Sequence, residues 1–188
     1  LIDNEINAAR QNKACGITLK INNLVDTGLI RKLYQASNAG VRIKLIVRGV
    51  CSLIPGVPNQ SENITAISIV DRFLEHPRVA IFANNGDPSV FISSADWMYR
   101  NIDERVEVGC PIYCPIIKQN IIDIISIQLN DNCKARLIDT AQNNDYQNKA
   151  SNLSVRSQIE IYNYLKEQQL SKTVSLSSNK NKRVIDHA

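Results

Sequence analysis

Apolar and polar residues follow two alternating spacings along the first part of this chain. From Ile2 to Gln11 the apolar positions recur at the spacing of an amphipathic helix. Gly16 interrupts this pattern, and Ile17 to Ile21 then form a short, mostly apolar run that is typical of a strand. The pattern therefore predicts a helix followed by a strand.

A second helix and a second strand continue the alternation. Asp26 is of a residue type that caps helices, and apolar residues recur at helical spacing after it until Asn38 and Gly40 end the helix. The apolar residues of this helix are Leu29, Ile30, Leu33 and Tyr34. From Val41 to Val47 apolar residues alternate with basic ones, as in a strand with one buried face.

The remaining elements are predicted from similar signals. Cys51 to Glu62 contains prolines and a glycine, so we expect a loop that leaves the carboxyl end of the strand before it. Further strands are predicted at Ile64 to Val70, Val79 to Phe82, Val90 to Ser93, Val106 to Val108 and Ala135 to Ile138. Late helices are predicted at Pro115 to Leu129 and Val155 to Gln168. These elements indicate an α/β fold with a mixed central β-sheet and helices on both faces.

Length and composition favour one domain. The chain has 188 residues, of which 44% are hydrophobic, and this is enough to bury a sizeable core. We expect the domain to cover about residues 1–170 and residues 171–188 to form a polar, basic and mobile tail. Because the chain starts without a methionine inside a predicted helix, we expect a fragment of a longer protein. No apolar run reaches the length of a membrane span and no signal-peptide pattern opens the chain, which favours the cytoplasm and leaves peripheral membrane attachment open.

Charge and cysteine content argue against a nucleic-acid-binding protein and against a zinc protein. The net charge is +4, but basic residues outnumber acidic ones by three after residue 170, so the first 170 residues carry only +1. We therefore do not expect a nucleic acid as partner. Among the five cysteines only Cys110 and Cys114 lie close together, and the two histidines do not complete a zinc spacing. We expect reduced, mostly buried thiols and no metal site.

His76 is the only histidine of the predicted domain, and it stands just before a predicted strand. A purely structural role at the strand entrance is one interpretation, since histidines are often partly buried and hydrogen-bonded. The position of Arg48 favours a functional role for this part of the chain. Arg48 lies at the carboxyl end of a predicted strand and is followed by Gly49 and a loop, which is where open α/β sheets bind ligands. A glycine there would let a ligand approach the backbone.

Arginine suits a phosphoryl site because its planar fork donates two parallel charged hydrogen bonds and keeps its proton. The candidates are Arg48, Arg78, Arg100 and Arg105. Each could instead pair with an acid at the surface, and the acids nearest to Arg105 are Asp103, Glu104 and Glu107. The positions of these arginines alone leave open whether they bind a phosphoryl group or form surface ion pairs.

The order of these residues resembles half of a phospholipase-D-like fold. HPRV, the strand VFIS and the run SADWMYRNIDERVEV place a histidine before a strand and a small-residue turn with a polar residue after the next one. That superfamily uses paired histidines for phosphoryl transfer. The H-x-K-x4-D signature is degenerate here, because Arg78 replaces the lysine and Ala83 the aspartate. The departure argues against an ordinary phosphodiesterase.

Four longer motifs resemble consecutive segments of the last catalytic domain of polyphosphate kinases of the first family. They are GITLKINNLVDTGLI, GVRIKLIVRGVCSLIPGVP, SENITAISIVDRFLEHPRV and FISSADWMYRNIDERVEV, and they run from Gly16 to Val108. The resemblance implies an ATP:polyphosphate phosphotransferase. Such a kinase moves the γ-phosphoryl group of ATP reversibly onto inorganic polyphosphate through a phosphohistidine.

The resemblance implies site residues where a motif matches. The histidine of FLEH is His76 and the arginine of LIVRG is Arg48, and both belong to the nucleotide site of the family. Arg105, in NIDERVEV, resembles a further phosphate-contacting arginine. His76 would protonate a leaving oxygen or hold the γ-phosphate, and the arginines would neutralise charge on its oxygens.

In this family the phosphorylated histidine and the Mg²⁺ ligands belong to the preceding catalytic domain. The implied partners are therefore ATP or ADP, inorganic polyphosphate and that domain of the same chain. We expect the isolated chain to be inactive and the parent enzyme to be a homo-oligomer.

Two other functions stay open. A divergent phosphodiesterase could bring His76 from two chains together across a symmetric cleft, and a noncatalytic module could only bind anions. The degenerate signature weighs against the first, and the small charge of residues 1–170 weighs against the second.

Overall fold

The computed structural model describes residues 1–147 and 153–170, so the predicted tail lies outside the described residues. The helices are α1 (Ile2–Arg10), α2 (Thr27–Asn38), α3 (Pro115–Leu129) and α4 (157–170). The strands are β1 (Ile17–Ile21), β2 (Ile43–Val47), β3 (Ile64–Ile69), β4 (Arg78–Phe82), β5 (Ser89–Ser93), β6 (Gly109–Pro111) and β7 (Ala135–Ile138). A 3-10 turn at Asn84–Gly86 and a π turn at Arg100–Glu104 lie in the connections on either side of β5.

Local signals explain where the helices begin and end. The carboxylate of Asp26 accepts a hydrogen bond of 2.7 Å from the backbone N–H of Leu29, so Asp26 is the predicted cap of α2. The chain leaves α2 through Gly40, whose φ of 90° lies in the left-handed region. α3 begins at Pro115, whose missing N–H would have no partner in the first turn of a helix.

The strands of the described ranges form one seven-stranded sheet in the order β6-β5-β4-β1-β2-β3-β7. β1, β2 and β3 run parallel, and the other neighbouring pairs run antiparallel. The carboxyl ends of the three parallel strands therefore lie beside the start of β4 and the end of β5. We call this side of the sheet the carboxyl edge. The predicted mixed sheet is confirmed.

Helices cover both faces of the sheet. α1 and α2 pack on one face, where Leu19 of β1, Leu45 of β2 and Leu33 of α2 are fully buried. α3 covers the opposite face, where Ile125 packs in a cluster with Ile46 of β2. Burial of apolar side chains on both faces is the main stabilising term for such a layered fold. The predicted placement of the helices is confirmed.

One predicted strand is wrong. Residues 106–108 form a connection, and β6 begins after them at Gly109. The order valine, glutamate, valine is typical of a half-buried strand. Here, however, the Glu107 carboxylate accepts hydrogen bonds from the Ser94 hydroxyl and from the Asn101 amide. These side-chain contacts, one of them to a residue 13 positions away, hold the segment, and the alternation does not reveal them.

The cysteines are less buried than predicted. Cys110 and Cys114 are exposed, and the other three are half-buried. The CPIYC segment that holds the first two lies at the end of the outermost strand, β6, where only one neighbouring strand covers it.

Candidate functional site

Arg48 and His76 meet at the carboxyl edge. Arg48 directly follows β2, and His76 lies just before β4. Nη2 of Arg48 lies 3.4 Å from Nδ1 of His76. Because a guanidinium has donors and no acceptor, Nδ1 accepts this hydrogen bond, and Nε2 then carries the proton of the neutral ring. His76 is exposed and Arg48 half-buried, so both side chains remain accessible to a ligand.

Arg78 has a different role from Arg48. Its guanidinium donates two hydrogen bonds of 3.2 Å to the carboxylate of Asp96, and its Nη1 donates to the backbone oxygen of His76 at 3.2 Å. Burial alone would raise the pKa of Asp96, but hydrogen bonds from Arg78, Asn22 and Asn23 outweigh it and hold that pKa below its usual range. Arg78 is therefore a paired residue that holds the main chain of His76.

Arg105 lies on the connection before β6 and is about half exposed, with 51% of its side-chain surface accessible. Its Nε lies 3.5 Å from Oε1 of Glu107. Hydrogen bonds from Ser94 and from Asn101 lower the pKa of Glu107, so this carboxylate stays charged beside Arg105. Both arginines therefore form ion pairs, Arg105 at the surface and Arg78 in a mostly buried pair.

The structure brings two of the three predicted site residues together. Arg48 and His76 are in contact, and in the described part of the chain no carboxylate lies within ion-pair distance of Arg48. Between Arg105 and either of these two the described residues show no hydrogen bond. An anionic ligand would compete with the Glu107 carboxylate for the guanidinium of Arg105.

Gly49 is needed for a reason other than the predicted one. A Cβ at this position would lie 2.6 Å from Oδ1 of Asn23 and 2.9 Å from the backbone oxygen of Asn22. The N–H of Gly49 donates to that same oxygen at 2.7 Å, and the N–H of Val50 donates to the Asn23 side chain at 3.0 Å. The glycine thus allows the loop after β2 to approach the end of β1, and protein atoms occupy the space expected for a ligand.

Sequence reasoning missed the residues that fasten the loop before His76. Asp71 accepts two hydrogen bonds from Arg156, at 2.7 and 2.8 Å, and these lower the pKa of Asp71. Glu75 pairs with Lys20 at 2.6 Å. The available signal was Lys20 itself, a charged residue inside the mostly apolar run of β1. Its partner could not be identified without the fold, because 55 residues separate the two.

The described residues contain no group of three or more histidine, cysteine, aspartate or glutamate side chains that could hold a metal ion. A Mg²⁺ ion held by three or more such side chains therefore has no site within residues 1–147 and 153–170. Within the same ranges, no helix combines the length and the apolar character that crossing a bilayer requires.

The mixed sheet, its helical layers and the histidine before β4 define an α/β domain of the phospholipase-D-like class. The phospholipase D family member Nuc from Salmonella typhimurium has this fold, with a TM-score of 0.52 and 14% identity over 72% of this chain and 89% of that one. Identity this low shows the fold alone. It confirms the predicted fold class.

Closer matches show the family. The family model of polyphosphate kinase C-terminal domain 2 matches residues 1–158. A polyphosphate kinase from Vibrio parahaemolyticus is 58% identical over 166 residues. The crystal structure of the polyphosphate kinase from Porphyromonas gingivalis matches with a TM-score of 0.88 and 46% identity. The chain belongs to the polyphosphate kinase family, and the resemblance seen in its motifs is confirmed.

The chain spans only about a quarter of the length of these relatives. The Vibrio match covers 88% of this chain and 24% of the relative, and the Porphyromonas match covers 90% and 26%. The matched segment corresponds to a C-terminal domain. The predicted boundary near residue 170 stays a prediction.

Proposed function

We propose that this chain supplies the nucleotide-binding half of a polyphosphate kinase active site. The contact between Arg48 and His76 carries the proposal, because it joins a permanently charged donor and a proton-exchanging ring at an accessible carboxyl edge. Open α/β sheets bind ligands at this edge. The family membership supports phosphate as the ligand chemistry.

The proposed reaction is a reversible transfer of the γ-phosphoryl group of ATP to inorganic polyphosphate. A neutral histidine nitrogen of the preceding catalytic domain attacks the γ-phosphorus, the bond to the β,γ-bridging oxygen breaks, and ADP leaves with the electron pair. A terminal oxygen of polyphosphate then attacks the phosphohistidine and releases the histidine. Each step conserves the phosphoryl group.

The residues of this chain would stabilise charge during that transfer. Arg48 can donate two parallel hydrogen bonds to the phosphoryl oxygens, and His76 can donate its Nε2 proton to a leaving oxygen or hold the γ-phosphate in line. Arg105 would join them when a phosphate displaces Glu107 from its guanidinium. Mg²⁺ would be held mainly by the preceding catalytic domain, because the described residues of this chain contain no group of three or more metal-ligating side chains.

ATP or ADP and inorganic polyphosphate are the substrates, and the preceding catalytic domain of the same chain is the partner that completes the site. The parent enzyme is proposed to be a cytoplasmic homo-oligomer.

His76→Ala in the complete enzyme tests this function. We expect phosphoryl transfer to fall by at least about a hundredfold, the lower range for loss of a positioned proton-transfer group. The melting temperature of this chain should change by less than about 2 °C, since His76 is exposed. His187→Ala, at the other histidine of these 188 residues, is the control and should leave activity unchanged. Full activity of the His76 variant would refute the proposal.

A further inference from the structure

A buried ion pair lies directly beside His76. The side chain of Lys20, on β1, is 6% exposed, and its Nζ lies 2.6 Å from Oε2 of Glu75, whose side chain is 17% exposed. Removing an ammonium group from water is costly unless a partner compensates for the loss of hydration. Glu75 is that partner, and it is the residue immediately before His76.

The carboxylate of Glu75 is also bound by two helices. The side-chain amide of Gln128, on α3, donates to Oε2, and that of Gln158, on α4, donates to Oε1 at 3.1 Å. Three elements that are distant in sequence therefore converge on one carboxylate. Such a network restricts the position of Glu75 more than one ion pair would.

α4 also binds the main chain of the same loop. The Gln158 amide donates to the backbone oxygen of Phe73 at 2.9 Å, and the Phe73 N–H donates to the amide oxygen of Gln158 at 3.0 Å. Two residues before Gln158, Arg156 forms the paired hydrogen bonds with Asp71. The loop between β3 and β4 is thus fastened at Asp71, Phe73 and Glu75.

Only His76 and Pro77 separate this anchored carboxylate from β4. A residue before proline is restricted to extended backbone conformations, and the proline ring restricts its own φ. On the other side, the backbone oxygen of His76 accepts a hydrogen bond from Arg78, which is itself paired with Asp96. The main chain of His76 is therefore held from both directions.

We infer that Glu75 is a positioning residue for His76, with Lys20 as its buried counter-ion and Gln128 and Gln158 as its supports. The inference rests on the proposed function of His76. The network places the ring within reach of Arg48, while the ring itself stays exposed to a ligand.

A role in stability alone explains this network less well. Replacing a buried ion pair with well-packed hydrophobic residues of similar volume is often neutral or stabilising, so the pair is weak evidence for stability. The supporting amide also has a cost, because the buried Oε1 of Gln128 has no hydrogen-bond partner in the described part of the chain. A positioning role accounts for a costly arrangement next to a reactive side chain.

The test compares neutral variants of the network with matched controls. Glu75→Gln and the double variant Lys20→Met with Glu75→Gln remove the charges, and the double variant leaves no unpaired lysine if the single one fails to fold. Gln158→Met keeps the ion pair and removes the side-chain hydrogen bonds of Gln158 to Glu75 and to the Phe73 main chain. Glu5→Gln is the control for a buried carboxylate, because Glu5 is 1% exposed and binds backbone N–H groups at the opposite edge of the sheet.

A second control removes an ion pair of equal length far from His76. Lys32 and Asp3 join α2 to α1 with an Nζ to Oδ1 distance of 2.6 Å. Lys32→Met with Asp3→Asn should leave the kinetics of the complete enzyme unchanged.

Kinetics of the complete enzyme and NMR spectra of this chain give independent readouts. For the Glu75 variants we expect kcat to fall by about tenfold or more while the KM for ATP changes by less than about threefold, since small misplacements of a reacting group can cost up to about a hundredfold in rate. We expect the ring signals of His76 to shift or split in the same variants and to stay unchanged in both controls. With only two histidines in the chain, His76→Ala assigns these signals.

The outcomes separate the two proposals. Glu75 variants whose kcat and His76 signals match those of Glu5→Gln would overturn the positioning role. Full activity of His76→Ala would instead refute the proposed function of the histidine, whereas the NMR spectra would still report whether Glu75 positions its ring.

Discussion

The guanidinium of Arg48 lies 3.4 Å from Nδ1 of His76, although 28 residues separate the two in the sequence. The parallel pairing of β1 with β2 and the antiparallel pairing of β1 with β4 create this contact, because they place the end of β2 and the start of β4 at the same edge. A permanently charged donor then faces the ring of the proposed proton-exchanging residue.

Arg48→Lys tests whether the shape of the guanidinium matters in addition to its charge. We expect kcat/KM of the complete enzyme to fall by about tenfold or more, because a lysine cannot make two parallel hydrogen bonds to a phosphoryl group. Arg42→Lys is the matched control, since Arg42 is exposed near the opposite end of β2 and should tolerate the change. Equal kinetics of the two variants would show that Arg48 acts only as a charge or not at all.

Gly49→Ala tests the close approach of the loop after β2 to the end of β1. A Cβ would lie 2.6 Å from Oδ1 of Asn23, so the loop or the asparagine must shift, and we expect a loss of about 1–3 kcal/mol in the free energy of unfolding. Gly109→Ala is the control, because its Cβ would meet no atom within 4 Å. Urea denaturation of the two variants measures the difference, and equal stability would contradict the prediction.

Asp131 makes the stability of the chain dependent on pH. It accepts hydrogen bonds from the backbone N–H groups of Cys133, Lys134 and Ala135 and, through its other oxygen, from that of Ser157 at the start of α4. Burial alone would raise the pKa of Asp131, but these hydrogen bonds outweigh it and lower the pKa. A carboxylate whose pKa is lower in the folded than in the unfolded state stabilises the fold at pH values above its unfolded pKa, which is about 3.9. The fold loses that contribution as the pH falls through the pKa of the folded state.

Asp131→Asn should therefore reduce the melting temperature most at neutral pH. The difference between the wild type and the variant should shrink as the pH falls below about 4, because the wild-type carboxylate then becomes protonated as well. Thermal melts between neutral and acidic pH measure this difference. A difference that stays constant over the whole range would show that the charge of Asp131 does not contribute.

The isolated chain should neither synthesise polyphosphate from ATP nor become phosphorylated on His76. The proposed phosphoryl acceptor lies in another domain, and the described residues offer no metal site. Incubation with radiolabelled ATP and Mg²⁺, followed by a search for acid-labile label, measures this. Label on His76 would contradict the division of the active site between two domains.

Much of the fold could be predicted because its signals are local. The cap at Asp26, the glycine after α2 and the proline at the start of α3 each act through neighbouring backbone groups, and the structure confirms them. The strand predicted at residues 106–108 failed for the converse reason. Its course depends on contacts between Glu107 and Ser94, and apolar alternation carries no information about such contacts.

The sequence by itself determined the α/β class, the apolar faces of the elements and the motifs that place the chain in its family, because periodicity and motif order are properties of neighbouring residues. Only the tertiary structure decided which charged side chains meet. It brings Arg48 into contact with His76, pairs Arg78 with Asp96 and pairs Lys20 with Glu75. The physical reason is that strand pairing brings residues together across long stretches of chain, and solvent and salt screen charges that lie more than about 10 Å apart, so a charge acts mainly on the groups that the fold places near it.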